Sequence, residues 1–166
     1  MSSSKTETLT AAVLTVSDSS ARGERADLSG PAVAEILQRK NFTVVATEIV
    51  PDEQPNIQLA IIRLAAKARL VATTGGTGIA ERDVTPEATR AVCTLILEGI
   101  AERMRFEGSK KTPMAALSRA ICGVRETSLV LNLPGSPRGA TESLEAVVDL
   151  LPHALELLAG STKHTA

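Results

Sequence analysis

The stretch Leu70-Val71-Ala72-Thr73-Thr74-Gly75-Gly76-Thr77-Gly78 (LVATTGGTG) passes from an apolar run straight into a glycine loop. The run is too short for a helix and reads as a buried strand over Leu70 to Thr73. The loop then sets glycines and threonine hydroxyls at the strand's carboxyl end. Backbone N–H groups unobstructed by Cβ atoms can surround an anion there, as a nest does. In open α/β sheets ligands bind outside the carboxyl ends of the strands, so this stretch predicts both a fold class and the place of a site. Glycines also relieve strain in a merely tight turn, and the cluster alone does not separate the two readings.

The flanking segments extend the pattern. Ala11 to Val16 (AAVLTV) is a second continuous apolar strand, and Ser17 to Gly30 has loop chemistry. After Pro31, Val33, Ile36 and Leu37 fall at helical spacing. Phe42 to Val50 alternates as a strand, and Ile57, Ala60, Ile61, Leu64 and Ala65 share one helix face. Beyond the glycines, Pro86 suits the first turn of another helix. Ala120 to Val124 and Ser128 to Leu133 are spaced for a hairpin, and Leu144, Val147, Val148 and Leu151 line a last helix, with a closing turn from Pro152 through Leu158. The expectation is an α/β fold of three layers: a mostly parallel central sheet with an antiparallel edge, and helices on both faces. One domain is expected over residues 9–160, with a flexible tail at 1–8 and another at 161–166.

Composition narrows the function. The 166 residues are 43% hydrophobic, with two Phe and no Trp or Tyr, and the net charge is −1. Nothing here draws in nucleic acid or stacks on its bases. The first residues are polar, and no run is long enough to span a membrane, so a soluble cytoplasmic protein is expected. Cys93 and Cys122 form no CxxC motif and read as reduced, buried thiols.

Four polar loops follow strands. One carries Ser17 and Asp18 with Asp27, Ser29 and Gly30; another is Pro51-Asp52-Glu53; the third is Thr74 to Gly78. The fourth, Asn132-Leu133-Pro134-Gly135-Ser136-Pro137-Arg138-Gly139, adds a cation suited to phosphate. Glu81 breaks the dinucleotide fingerprint and Ala80-Glu81 breaks the P-loop, so neither nucleotide fold applies. By itself, Asp83 reads equally as a cap for free helix N–H groups or as a catalytic acid, and Asp52 is no less ambiguous. His153 and His164 stand too far from other such groups for a triad or zinc site, and read as structural or exposed.

Taken together, Thr73 to Gly78, Arg82-Asp83-Val84-Thr85-Pro86-Glu87-Ala88, Leu117-Ser118-Arg119 and Asn132 to Pro137 resemble the MoaB/Mog family of molybdenum cofactor biosynthesis. The resemblance covers roughly residues 9–160, and Leu151 to Leu155 also looks like the gephyrin G domain. It implies a molybdopterin-binding fold that transfers adenylyl from ATP to molybdopterin, with Mg²⁺, and releases diphosphate. By motif position the catalytic and Mg²⁺-binding aspartates fall on Asp52 and Asp83. Substrate contacts fall on Thr74, Gly75, Gly76, Thr77, Gly78, Ser118, Asn132, Pro134, Gly135, Ser136 and Arg138, the last being lysine in many relatives. A homotrimer is implied, with a hexamer as the alternative, and other proteins of the pathway as partners. The rival function is a binding-only homologue; metal insertion, done by relatives inside larger proteins, ranks last.

Overall fold

The computed structural model describes residues 8–160, so the C-terminal tail with His164, and the N-terminal tail apart from Thr8, lie outside it. Strand β1 (Thr10–Val16) leads through a single-turn helix α1 (Asp18–Ala21) to α2 (Ser29–Arg39) and β2 (Thr43–Val50). Then follow α3 (Gln54–Ala65), β3 (Leu70–Thr74), α4 (Thr85–Val92), the two-residue β4 (Leu95–Ile96) and α5 (Glu98–Ser109). A 3₁₀ turn at Pro113–Leu117 precedes the hairpin of β5 (Cys122–Arg125) and β6 (Ser128–Leu133). The chain closes with α6 (Pro137–Val147), a 3₁₀ turn at Val148–Leu150, and α7 (Leu151–Leu158).

The six strands form one sheet in the order β2-β1-β3-β6-β5-β4. The first four are parallel; β5 pairs antiparallel with β6, and the short edge strand β4 pairs antiparallel with β5. Alternation along β1 sends Ala11 and Val13 to one face and Ala12, Leu14 and Val16 to the other. Helices α2, α5, α6 and α7 cover the first face with Val33, Leu37, Met104, Leu144 and Leu155. Helices α3 and α4 cover the second with Ile57, Ile61, Leu64 and Ala88. The expected three-layer arrangement is therefore present, with a core on each side of the sheet.

Several boundaries differ from the sequence reading. The Ser17 to Gly30 segment is not all loop: the Ser17 hydroxyl caps a short helical turn by accepting from the Ser20 N–H at 3.2 Å. Helix α2 starts at Ser29, before Pro31 rather than after it. Helix α5 carries no clear apolar stripe, because only Ala101 and Met104 are buried along it. The closing helices are two, split by a 3₁₀ turn ahead of Pro152.

Asn132 lies in the sheet, on β6, with 0% of its surface exposed. Its amide donates to Thr73 Oγ1 (3.1 Å) and Thr89 Oγ1 (2.9 Å), and its carbonyl accepts from the Ile121 N–H (3.2 Å). One side chain thus joins β3, α4 and the entry to β5. Asn132→Ala would strand three buried polar groups, and we expect a loss of about 2–4 kcal/mol in urea unfolding. A loss below about 1 kcal/mol would show that the junction holds without it.

Candidate active site

The order β2-β1-β3 means that the chain leaves β1 to one side and returns to its other side, which makes the β1/β3 boundary a topological switch point. Three strand ends crowd there. A Cβ on Gly75 would run into the Val16 carbonyl at the end of β1, and one on Gly135 would stand 3.3 Å from the Gly75 Cα. The Gly75 N–H donates to the Leu133 carbonyl at 3.1 Å, at the end of β6. Gly75 and Gly76 take φ of +91° and +69°, a region that favours glycine.

A hollow of about 430 Å³ opens at this point. It gathers Ser17, Asp27, Ser29, Asp52, Thr74, Gly75, Gly76, Asp83, Gly135 and Ser136 of the residues expected from sequence. A second hollow, of about 300 Å³, is lined by Thr77, Gly78, Ser118, Pro134 and again Ser136, with apolar walls from Met104, Met114 and Leu117. The two share the 75–78 and 134–136 loops as a partition. Four expected residues lie outside both hollows: Asp18, described below, and three others. Asn132 is enclosed in the sheet, Gly30 is buried behind Asp27 and Thr15, and Arg138 is 86% exposed on α6, paired with Glu142 at 2.9 Å.

The loop's N–H groups are not equivalent. Gly75 is spent on Leu133, which removes it from the anion-holding role expected of it. Among the described residues, no protein acceptor takes the N–H groups of Gly76, Thr77 or Gly78. The Gly76 carbonyl accepts from the Thr85 N–H at 3.1 Å. The Thr85 hydroxyl lies against the Gly76 α-carbon, buried and without a hydrogen-bond partner among the described residues.

The carboxylates are held by backbone. Asp52 Oδ2 accepts from the Asp18 N–H and Asp18 Oδ1 from the Asp52 N–H, both at 2.9 Å, which clasps the ends of β1 and β2 together. Asp18 does not line the hollow; it pairs with Arg82 at 2.6 and 3.0 Å, which holds its carboxyl below the usual range. Burial pushes the Asp52 carboxyl up, and the charges of Asp18 and Asp83 add to the shift. Asp83 Oδ2 accepts from the Ala80 N–H at 3.0 Å, so the aspartate caps its own loop as well as facing the hollow. Oδ1 of Asp52 and Oδ1 of Asp83 receive no hydrogen bond from the described residues.

Sequence reasoning passed over the arginines that brace these loops. Arg82 spans Asp18 and Glu53. Arg119 donates to the Gly78 and Asp83 carbonyls, each at 2.8 Å, and pairs with Glu87. Of the other groups named from sequence, His153 is exposed beside Glu156, Cys122 is buried, and Cys93 is only half-buried.

A doubly wound sheet whose switch point joins a glycine loop to two carboxylates defines an α/β protein of the class whose ligand sites lie at the carboxyl ends of the strands. The family model described as "Probable molybdopterin binding domain" matches residues 12–153, and the chain belongs to that family. It is 42% identical over 159 residues to the molybdopterin adenylyltransferase of Helicobacter pylori, covering 93% of this chain and 90% of that protein. The Escherichia coli K12 molybdopterin adenylyltransferase is 37% identical, with 96% and 90% covered. Among solved structures, the molybdopterin biosynthesis enzyme MoaB of Thermus thermophilus aligns with a TM-score of 0.85 and 52% identity, over 92% of this chain and 98% of that one.

Two stability predictions follow from the geometry. A Cβ at Gly76 meets Thr85 first and also has to adopt the left-handed φ. Gly76→Ala should therefore lose about 2–4 kcal/mol in unfolding, and adding Thr85→Ala should restore part of it. An undiminished melting temperature would refute this packing. For Asp52, a folded pKa above the unfolded one means that ionisation opposes folding at neutral pH, and that this opposition is relieved as pH falls through the folded pKa. In EDTA, Asp52→Asn should melt at or above the wild-type temperature at pH 7, with the gap closing in acid; a large drop at pH 7 would contradict it.

Proposed function

We propose that this protein is a molybdopterin adenylyltransferase. The observation that carries the reading is the pair of hollows meeting across the 75–78 and 134–136 loops, with Asp52 and Asp83 on the polar side. The polar hollow suits the phosphates of a nucleotide. The second, with Ser118 amid Met104, Met114 and Leu117, suits a flat pterin.

In adenylyl transfer the terminal phosphate of molybdopterin attacks the α-phosphorus of ATP, and the bond to the bridging oxygen breaks to release diphosphate. No protein nucleophile is consumed, so positioning and charge neutralisation supply the rate. The free N–H groups of Gly76, Thr77 and Gly78 lie along the partition, where two phosphates would approach each other. Their fixed donors offset the repulsion without reorganising during reaction. The Ser136 hydroxyl already accepts from the Gly139 N–H at 3.0 Å and can still donate its proton to a phosphate oxygen at the same boundary. Thr74 and Ser29, whose hydroxyls meet at 2.9 Å, brace the floor.

The aspartates fit Mg²⁺. Each keeps one carboxylate oxygen free of hydrogen bonds from the described residues, and burial, with the like charges of Asp18 and Asp83, raises the Asp52 pKa, a penalty that a cation would relieve. Mg²⁺ typically takes one or two carboxylates along with phosphates and water, so two aspartates are a sufficient protein contribution. Bound there, Mg²⁺ would draw charge from the diphosphate leaving group. The same reading carries a homotrimer, with a hexamer as the alternative, and partners within molybdenum cofactor biosynthesis. No described helix is long and apolar enough to cross a membrane, and two free thiols suit a reducing cytoplasm.

Purified protein given ATP, Mg²⁺ and molybdopterin should release diphosphate. Asp52→Asn and Asp83→Asn should each lower turnover at least about a hundredfold, the loss of roughly 2.7 kcal/mol of transition-state stabilisation, with molybdopterin binding retained. Their effects should be less than additive, because residues serving one ion act as a unit. Molybdopterin binding without diphosphate release by the wild type would replace this reading with a binding-only role.

A further inference from the structure

The first hollow contains three carboxylates, Asp27, Asp52 and Asp83, and one guanidinium, Arg25. Asp27 is occupied within the fold: it accepts from the Thr15 hydroxyl at 2.7 Å and the Gly30 N–H at 3.0 Å. The arginines around the two hollows are also taken. Arg82 is held by Asp18 and Glu53, Arg119 by Glu87 and two carbonyls, Arg105 by the Ala120 carbonyl at 3.0 Å, and Arg138 by Glu142. Arg25, among the described residues, has no hydrogen-bond or ion-pair partner.

The chain presents this residue deliberately. The loop between α1 and α2 is closed at its start by the Gly23 N–H to the Ser20 carbonyl (3.1 Å) and the Glu24 N–H to the Ser19 carbonyl (2.9 Å). Asp27 closes its end. Gly23, at φ +73°, makes the turn that lets Arg22 and Glu24 form a two-pronged pair, both contacts 3.0 Å. The loop's neighbouring charges therefore cancel, and Arg25 faces the hollow with its charge unspent.

We propose that Arg25 grips the nucleotide's polyphosphate beyond the α-phosphate, in place of the Arg138 contact expected from sequence. The assignment to those phosphates follows from position. The α-phosphate has to lie at the 75–78 and 134–136 partition to meet the pterin's phosphate, and Arg25 belongs to neither loop. The inference rests on the adenylyl-transfer reading, from which it takes the nucleotide in the first hollow.

Calorimetry on the full chain with Mg²⁺ tests it, using a non-hydrolysable ATP analogue, inorganic diphosphate and AMP as probes. Arg25→Ala should weaken the analogue and diphosphate about tenfold or more and AMP less than about twofold. Arg25→Lys should fall between, since it keeps the charge but loses the fork. Arg39→Ala, which removes the same charge from the end of α2, should leave all three unchanged. Equal losses for AMP and the analogue, or none for either, would overturn the role of Arg25 and leave the adenylyl-transfer reading standing. A wild type that binds none of the probes would overturn both.

Discussion

Backbone meets backbone at Gly75, and much of the site depends on that approach. The end of β1 leaves no room for a side chain there, β6 claims the amide, and Gly135 stacks on the α-carbon. Any Cβ would part strands β1 and β3 at the point where the sheet's winding reverses. Gly75 is fixed to its neighbours, while the following amides of Gly76, Thr77 and Gly78 have no hydrogen-bond acceptor among the described residues. A conformational requirement and a ligand-binding capacity thus come from one arrangement.

The second fixture is the reciprocal pair of hydrogen bonds between Asp18 and Asp52. Each carboxylate is tied to the other's backbone, so the Asp52 side chain is oriented by the ends of two strands rather than by a mobile loop. Arg82 draws the charge of Asp18 outward and leaves Asp52 as the acid that faces the hollow. Two adjacent aspartates of the same type therefore differ in environment. Asp18 is held ionised by a guanidinium, while Asp52 sits partly desolvated near a like charge.

How much of this was legible in the sequence follows from the range of each interaction. Strands β1 and β3, helix α3 and the glycine loop are written in local periodicity and in residues with a backbone preference, and they stand where expected; α2 is written the same way but begins earlier, at Ser29. Helix α5 was missed because its stability comes from packing two buried residues, which leaves little pattern to read. Asn132 looked like the start of a polar loop, since its partners Thr73 and Thr89 become neighbours only when β3 and α4 are assembled. Arg82 meets Asp18 across 64 positions and Arg119 meets the Asp83 carbonyl across 36, distances over which no motif gives warning. Arg138 drew attention by its motif, yet its partner Glu142 lies one helical turn away on an exposed face.

The partition between the hollows is rich in glycine, with Gly76 and Gly135 on one side, Gly78 and Pro134 on the other, and Ser136 common to both. Glycine and proline leave such a wall few rotamers to adjust, so its thickness follows from the strand ends that carry it. Under the proposed reading it works as a ruler, setting how far a group must extend from either side before the two can touch. A pterin lacking its phosphate would fall short of the line however well its ring were seated. Selection by reach needs no lid and no domain closure.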